Sequence, residues 1–346
     1  MADPIVTPAV ERFKQMCAQF EAGWCRWVGH GYRVNVFTWP EDPQSLIELL
    51  NGMPISHLYL SVPTITDRHF SLFSNTHIWE SLTLSCLPID GSGFDLLEPC
   101  VRVDRLELRN CPVDGRQMIG LRRFPNARIV QMSGVSAADD AIRYLSAVNE
   151  LKSLLIRRSS PDFTGDGFEG LAGKQHLRII EIIDCSVSRG FEHLTNCPSL
   201  EVISLGDTDV DDAALLNISN VKSLRALFVY SDKVTDDGLA HFAGHPHLDE
   251  IEYMGRGPDG RHRYVTEGFF SHLLQIPNLD SLTVACQVSS RGVSVLKKIP
   301  KLNYLCLMWP TLTQSEFDEI RLQLPNCRVR CSFLDDAERE DEYDDE

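Results

Sequence analysis

An apolar pair spaced as apolar-x-apolar returns about every 24 residues and restricts the fold of this chain more than any other feature. Eight of the twelve spacings between successive pairs are 24 residues, and many pairs are preceded by a leucine three places earlier. We call the first residues of the pairs anchors: Val34, Leu58, Leu82, Leu106, Val130, Leu154, Ile180, Ile203, Leu227, Ile251, Leu282, Leu305 and Val329. A repeat of this length predicts one solenoid and not several globular domains.

Each apolar pair predicts a short parallel strand whose side chains alternate between two faces. The residue between the two apolar positions is often polar, as at Glu107, Ser204 and Thr283. One face of the sheet is therefore expected to meet solvent, while the segments that follow the strands cover the other face.

A small oxygen-bearing side chain follows the strand at a similar place in eleven turns, and such side chains are preferred helix N-caps. These residues are Thr66, Asp90, Asp114, Ser136, Thr164, Ser188, Asp211, Thr235, Thr266, Ser289 and Thr313. Residues 188–200 and 236–248 each predict about two turns of helix, ended by proline. The recurring acids also fit a calcium ladder, but Ser and Thr replace them freely, which capping allows and Ca²⁺ binding does not.

The stretch 234–239, Val-Thr-Asp-Asp-Gly-Leu, and the cysteines Cys111 and Cys185 after their strands resemble the cysteine-containing class of leucine-rich repeats. That class occurs in F-box substrate receptors and in bacterial proteins. The resemblance implies an α/β horseshoe of about 12 to 13 turns, with a parallel sheet on the concave face and short helices on the convex face. It implies protein recognition as the commonest role and carries over no catalytic residue. The turn after Ile251 departs from the pattern, because it is seven residues longer than usual.

Charge and composition limit the possible partners. The formal net charge is -16, and residues 335–346 contribute nine acids against one arginine. The composition of that tail predicts disorder, and the overall acidity argues against nucleic acid as a ligand.

The chain has no apolar run long enough for a membrane span and no signal-peptide pattern at its start, which favours a cytoplasmic protein without a membrane partner. Eleven cysteines then predict free structural thiols.

Residues 1–31 are expected to form an N-terminal capping helix, residues 32–334 the repeats, and residues 335–346 the disordered tail. The helix prediction comes from apolar residues at helical spacing between positions 8 and 28: Val10, Phe13, Cys17, Phe20, Trp24, Trp27 and Val28. An F-box, the alternative for this segment, would need a longer helical domain.

Two groups of side chains on the exposed sheet face are candidate binding residues. The first has large apolar side chains beside two glutamates: Phe228, Tyr230, Glu250, Glu252, Met254, Tyr304, Met308 and Trp309. Aromatic residues are enriched at protein-binding hot spots, although packing against residues 255–265 would also account for them. The second group is basic and would suit carboxylate or phosphate groups unless it only solvates the sheet: Arg105, Arg109, Arg157 and Arg158.

Catalytic and metal-binding motifs lack support. His241, His245 and His247 surround Pro246 without a second ligand motif, and the chain has no phosphate-binding loop or hydrolase elbow. The sequence therefore predicts a non-enzymatic, monomeric interaction scaffold without a cofactor, which binds a protein on the concave face of its C-terminal half. The alternative is a substrate-recognition subunit or effector that delivers a target to an enzyme such as a ubiquitin ligase.

Overall fold

The computed structural model describes residues 5–73, 80–98, 103–255, 265–308 and 312–331. All thirteen anchors lie in strands, one in each strand from β2 to β14. The strands are β1 (Gly23–Trp27), β2 (Tyr32–Val36), β3 (Ile55–Leu60), β4 (Ser81–Ser85), β5 (Arg105–Arg109), β6 (Ile129–Ser133), β7 (Ser153–Arg157), β8 (Ile179–Cys185), β9 (Val202–Thr208), β10 (Ala226–Tyr230), β11 (Glu250–Met254), β12 (Ser281–Val284), β13 (Tyr304–Leu307) and β14 (Arg328–Cys331).

The chain divides into two compact units within β8. Unit 1 comprises Met1–Leu177 with Asp184–Ser186, and unit 2 comprises Arg178–Ile183 with Val187–Glu346. In unit 1, β2 to β7 are parallel neighbours in chain order, and β1 pairs antiparallel with β2. In unit 2, β9 to β14 are parallel neighbours in chain order.

The strand register stacks anchor on anchor. Leu82, Leu106, Val130 and Leu154 are direct partners across β4 to β7, and each is at most 1% exposed. Because a slip of one residue would turn these side chains to the solvent face, their burial fixes the register. Phenylalanines from the segments after the strands complete the core, and the rings of Phe70, Phe94 and Phe124 meet edge to face at 5.4 and 5.9 Å.

Short helices connect the strands. The α-helices are α1 (Pro8–Phe20), α2 (Pro43–Asn51), α3 (Ala138–Tyr144), α4 (Asp212–Ile218), α5 (Asp236–Ala240), α6 (Phe270–Leu273), α7 (Ser290–Leu296) and α8 (Gln314–Gln323). The 3-10 helices are Asp67–Leu72, Ser92–Leu96, Gly115–Arg123, Leu145–Ala147, Asp166–Leu171, Phe191–Asn196 and Glu267–Phe269. The helices are shorter than predicted in two of the connections. Residues 188–200 contain one 3-10 helix of six residues, and residues 236–248 contain an α-helix of five residues. A 3-10 helix rises further per residue, so it spans the turn with fewer residues.

The predicted capping positions are mostly correct. Seven of the eleven residues are N-caps: Thr66, Asp114, Asp211, Thr235, Thr266, Ser289 and Thr313. In the other four turns the cap falls one or two residues later, on Gly91, Ala137, Gly165 and Gly190, all in the left-handed region. Glycine adopts that backbone conformation without a steric penalty.

Carboxylates bridge successive turns. Asp212 accepts hydrogen bonds from the amide and hydroxyl of Thr235, at 2.8 and 2.6 Å, and Asp236 binds Thr266 in the same way. Asp139 accepts from Thr164, and Glu267 accepts from Ser289. We call these contacts carboxylate bridges. They give Asp139, Asp212, Asp236 and Glu267 a structural role in which the carboxylate oxygens pair with protein donors.

Glycine makes room for several of these bridges. The residue three positions after the bridged Thr235 is Gly238, where a Cβ would lie 2.1 Å from Asp212 Oδ1. Gly292 has the same relation to Glu267, with a separation of 2.4 Å from Oε2. A side chain at either glycine would displace the carboxylate, so these two bridges require an acid, a hydroxyl and a glycine together.

A second repeated feature lies four residues after the anchor, where the backbone enters the left-handed region. The residues are Cys86, Asn110, Gly134, Arg158, Asp184 and Asp207, with φ between 50° and 77°. Asn and Asp tolerate this region better than most residues with a side chain. The conformation turns the chain at or next to the end of these six strands.

The N-terminal helix is shorter than expected. α1 begins after the cap residue Thr7 and ends at Phe20, and Gly23–Trp27 forms β1 instead of continuing the helix. Gly23 explains the change, because a Cβ there would lie 2.0 Å from the Asn35 carbonyl oxygen of β2. Only a glycine allows the backbone to approach that closely. The division at residue 31 stays a prediction, and residues 332–346, including the acidic tail, lie outside the described residues.

Cysteines act as packing residues in the described part of the chain. Ten are free thiols, and five of these are buried: Cys111, Cys185, Cys197, Cys286 and Cys331. Burial raises the pKa of Cys286 to about 12, which keeps this thiol protonated at neutral pH. Of the helices described, none is both long and apolar enough to cross a bilayer.

Candidate functional site

The large apolar residues predicted for binding lie on three strands of unit 2. Phe228 and Tyr230 belong to β10, Met254 to β11 and Tyr304 to β13, while Met308 follows β13 directly. We call these five residues the apolar patch. All five are partly exposed, whereas the alternating residues Leu227, Val229, Leu305 and Leu307 are fully buried. The alternation places the patch on the sheet face that points away from the core.

The strand register brings the patch together with its two glutamates. Tyr230 is the direct partner of Met254, and Phe228 is the direct partner of Glu252. Glu250 is joined to Tyr304 through Ser281, one strand between them. At about 4.8 Å per strand, the patch spans roughly 14 Å from β10 to β13.

Hydrogen bonding and burial define the electrostatics of the patch. The Tyr230 hydroxyl donates to Glu252 Oε1, and burial together with this carboxylate raises the pKa of Tyr230. Burial, followed by repulsion from Glu252, also raises the pKa of Glu250. A partner's hydrogen-bond donor or positive charge beside Glu250 would therefore relieve its repulsion from Glu252.

Some predicted residues cannot be placed. Trp309 and residues 256–264 of the long turn lie outside the described residues. The structure adds Arg328 and Arg330 on β14, which are the direct partners of Tyr304 and Cys306. These arginines were not among the predicted binding residues, although they stand directly before and after the anchor Val329 in the sequence.

A cleft adjoins the apolar patch and was also missed from the sequence. Its volume is about 620 Å³, and Tyr230, Met254 and Met308 are among its lining residues. The others come from the end of β9 and the chain just after β9 and β10, in the stretches 207–209 and 231–233. The sequences of those stretches are Asp-Thr-Asp and Ser-Asp-Lys. Their acids, at the ends of two neighbouring strands, are the sequence feature that could have indicated the cleft.

The arginine group lies on the sheet face of unit 1 and is partly neutralised. Arg105 and Arg109 both pair with Glu107, at 2.9 and 2.5 Å, and Glu107 is itself buried. Arg109 and Arg157 flank Ser133 in one row of the sheet. Arg158 lies 3.6 Å from Asp184. Internal pairing favours a structural role for the first two arginines over recognition of an acidic ligand.

The histidines that suggested a metal site separate in the structure. His245 is buried, its Nε2 lies 3.0 Å from the Val221 carbonyl oxygen, and its Nδ1 accepts from the Leu248 amide at 3.2 Å. Both ring nitrogens are therefore used in packing the turn. His241 and His247 are exposed. Over the described ranges, no group of three or more His, Cys, Asp or Glu residues could hold a metal ion.

Comparisons with known proteins identify the fold. No protein-family model matches the sequence, and no curated protein matches it significantly. Solved structures do match. An internalin from Listeria monocytogenes is similar over 86% of this chain and 86% of that chain, with 17% identity and a TM-score of 0.58. A leucine-rich-repeat protein from Leptospira interrogans is similar over 85% and 75%, with 12% identity and a TM-score of 0.54.

A third similar structure is that of TLR13 in a complex with ssRNA13. It matches over 84% of this chain and 41% of that chain, with 15% identity and a TM-score of 0.54. Together with the repeated parallel strands and short helices, these similarities define an α/β solenoid, as predicted. The chain has a leucine-rich-repeat fold.

Proposed function

We propose that this protein is a non-enzymatic scaffold that binds a protein ligand through the apolar patch on the sheet face of unit 2. The observation that carries the proposal is the partial exposure of Phe228, Tyr230, Met254 and Tyr304 on three of the four strands from β10 to β13, with Met308 directly after β13. Each would bury further apolar surface against a partner, at about 25 cal/mol per Å². Tyr and Trp side chains also dominate the binding energy of many protein interfaces.

The glutamates support a protein ligand with polar groups around an apolar centre. Glu252 already accepts the Tyr230 hydroxyl, which holds this aromatic ring in place before a partner arrives. Preorganised side chains lose less conformational entropy on binding. Glu250 lies beside them and would pair with a hydrogen-bond donor or a positive charge of the partner. This pairing would fix the orientation of the partner on the apolar patch.

The test is affinity capture from a lysate, with quantitative mass spectrometry of the bound proteins. The intact chain is compared with the double variant Phe228→Ala/Tyr304→Ala and with the control Tyr59→Ala. Tyr59 is a suitable control because it follows its anchor directly, as Phe228 does, and is also partly exposed, but lies in unit 1. Nuclease treatment of the lysate removes partners held through nucleic acid.

We expect the same partner with the intact chain and with Tyr59→Ala, and at least a tenfold lower yield with the double variant. All variants should retain the circular dichroism spectrum of the intact chain, because the replaced side chains are partly exposed. An equal yield from all three proteins would contradict the assignment of the site. Ligase subunits captured equally by all three would instead favour a substrate-recognition subunit that uses another surface.

A further inference from the structure

A polar groove lies on the sheet face of unit 1. Its volume is about 980 Å³, and its lining residues come from β2 to β5 and from the chain just before β4 to β7. Along the sheet the groove therefore crosses five strand spacings, which is roughly 24 Å at about 4.8 Å per strand. All of its lining residues belong to unit 1, so the groove shares no residue with the apolar patch.

Most charged side chains of the groove are paired within the protein. Three arginines and three acids line it, so their formal charges balance. The close contacts of these residues are Asp104–Arg128 at 3.2 Å, Arg105–Glu107 at 2.9 Å and His30–Glu80 at 2.8 Å. The other two charged lining residues are Arg33 and Glu150, and neither forms an ion pair with the described part of the chain. One charge of each sign is thus available to a ligand.

These two charges stand at opposite ends of the groove. Arg33 lies on β2, the first strand of the groove, and Glu150 lies just before β7, the last. A ligand that meets both must carry opposite charges separated by roughly 24 Å along the sheet. An extended polypeptide rises about 3.3 Å per residue, so about seven residues cover that distance. A ligand with a single kind of charge would be repelled at one end.

The floor of the groove next to Arg33 offers polar groups to a peptide backbone. Arg33, His57 and Ser81 are direct partners across β2 to β4, and Asn35 is the partner of Tyr59. The Asn35 amide and the hydroxyls of Tyr59 and Ser81 make no hydrogen bond to the described residues, and none of them is a buried atom. Burial, followed by Arg33, lowers the pKa of His57, so this ring is neutral at pH 7. Amides and hydroxyls can pair with the N–H and C=O groups of a bound backbone.

We infer that this groove binds an extended peptide segment of a protein partner, with an acidic side chain at Arg33 and a basic side chain about seven residues away at Glu150. The guanidinium of Arg33 receives the carboxylate in charge-assisted hydrogen bonds, and Glu150 receives the basic end. The backbone between them pairs with the polar floor. This is a second binding surface, which does not depend on the apolar patch of the proposed function.

The test is a selection from a library of random twelve-residue peptides displayed on phage, with the full chain as the target at low ionic strength. We expect the enriched peptides to carry one acidic and one basic residue about six to eight positions apart. The most enriched peptide is then synthesised with a fluorescent label, and its Kd is measured by fluorescence anisotropy. High salt should weaken its binding, because exposed charges are screened.

Charge reversal at each end of the groove tests the two contacts separately. Arg33→Glu should select peptides with two basic residues at the same spacing, and Glu150→Lys should select peptides with two acidic residues. Either variant should raise the Kd of the synthetic peptide about threefold to tenfold, because an exposed pair is lost and a repulsion replaces it. Arg291→Glu is the control, because Arg291 is an exposed arginine of α7 without an ion pair to the described residues. It should leave the selection and the Kd unchanged.

Four results would overturn the inference. They are the absence of enriched peptides, enriched peptides without the charge pair, an unchanged preference in Arg33→Glu, and loss of peptide binding in Phe228→Ala/Tyr304→Ala, which would move the peptide to the apolar patch. The proposed function is judged separately, because it fails if the double variant still captures the same partner, whichever peptides the groove selects. A partner lost only with Tyr59→Ala would use the groove and would leave the assignment of the apolar patch unchanged, since Tyr59 lines the groove.

Discussion

Replacement of Asp139 by alanine tests the carboxylate bridges most directly. Asp139 Oδ2 accepts from the amide and hydroxyl of Thr164 at 2.9 and 3.0 Å, and Oδ1 accepts from the amides of Gly165 and Gly167 at 3.0 and 2.8 Å. One side chain thus makes four hydrogen bonds to the next turn. Alanine would leave all four donors without this partner.

The expected loss in the free energy of unfolding follows from these four hydrogen bonds. A net contribution of about 1 kcal/mol per hydrogen bond suits this partly buried site, where water can replace some of the lost interactions. Asp139→Ala should therefore lower the free energy of unfolding by about 4 kcal/mol. Asp139→Asn should cost about 2 kcal/mol, because its one oxygen can still accept from Gly165 and Gly167 while the amide nitrogen faces a donor.

The assay is urea denaturation followed by far-ultraviolet circular dichroism. Asp140→Ala is the control, because Asp140 also lies in the first turn of α3 but makes an exposed ion pair with Arg143 at 2.8 Å. That pair should be worth less than about 1 kcal/mol. If Asp139→Ala and Asp140→Ala differ by less than about 0.5 kcal/mol, the bridges do not hold the turns together and the reasoning is wrong.

Two further predictions concern stability. Ile203→Asp places an unpaired charge at a fully buried anchor, so circular dichroism should show loss of the repeat structure, and a normal spectrum and melting curve would contradict the register. Burial lowers the pKa of His245, so the unfolded chain binds the proton first as pH falls through about 6.5. The His245 contribution to stability is therefore present at higher pH and is lost between that value and the lower folded-state pKa. His245→Gln should make the pH dependence of urea stability shallower in this interval, and an unchanged slope would reject the effect.

The strands could be predicted from the sequence because the buried residues repeat in it. Leu106, Val130 and Leu154 stand 24 residues apart and become direct neighbours in the sheet, so spacing alone gives their register. The caps were predictable for the same reason, since one local hydrogen bond decides where a helix begins. The fold depends on interactions that recur at fixed distances along the chain.

Features that depend on the meeting of two turns were not predictable in the same way. The pairing of β1 with β2 depends on the close approach of Gly23 to Asn35, which helical periodicity does not reveal. The cleft depends on acids at the ends of two different strands, whose side chains meet only when β9 and β10 pair. The apolar patch could be selected from its strand positions, while its role in binding stays a prediction.

The carboxylate bridges also determine how such a chain can gain or lose repeats. Asp212 reaches Thr235, and Asp236 reaches Thr266 in the same way. Deletion of residues 213–236 would remove one 24-residue period and leave Asp212 opposite Thr266, so that an equivalent bond forms across the junction. The bridged pairs stand 22 to 30 positions apart, so the connecting segment can vary in length while the bridge forms, but a junction that places the acid opposite a residue without a hydroxyl would lose it. Recombination between repeats is thus favoured where an acid of one turn again meets a hydroxyl residue of the next, and the contacts that stabilise the chain also restrict how its length can evolve.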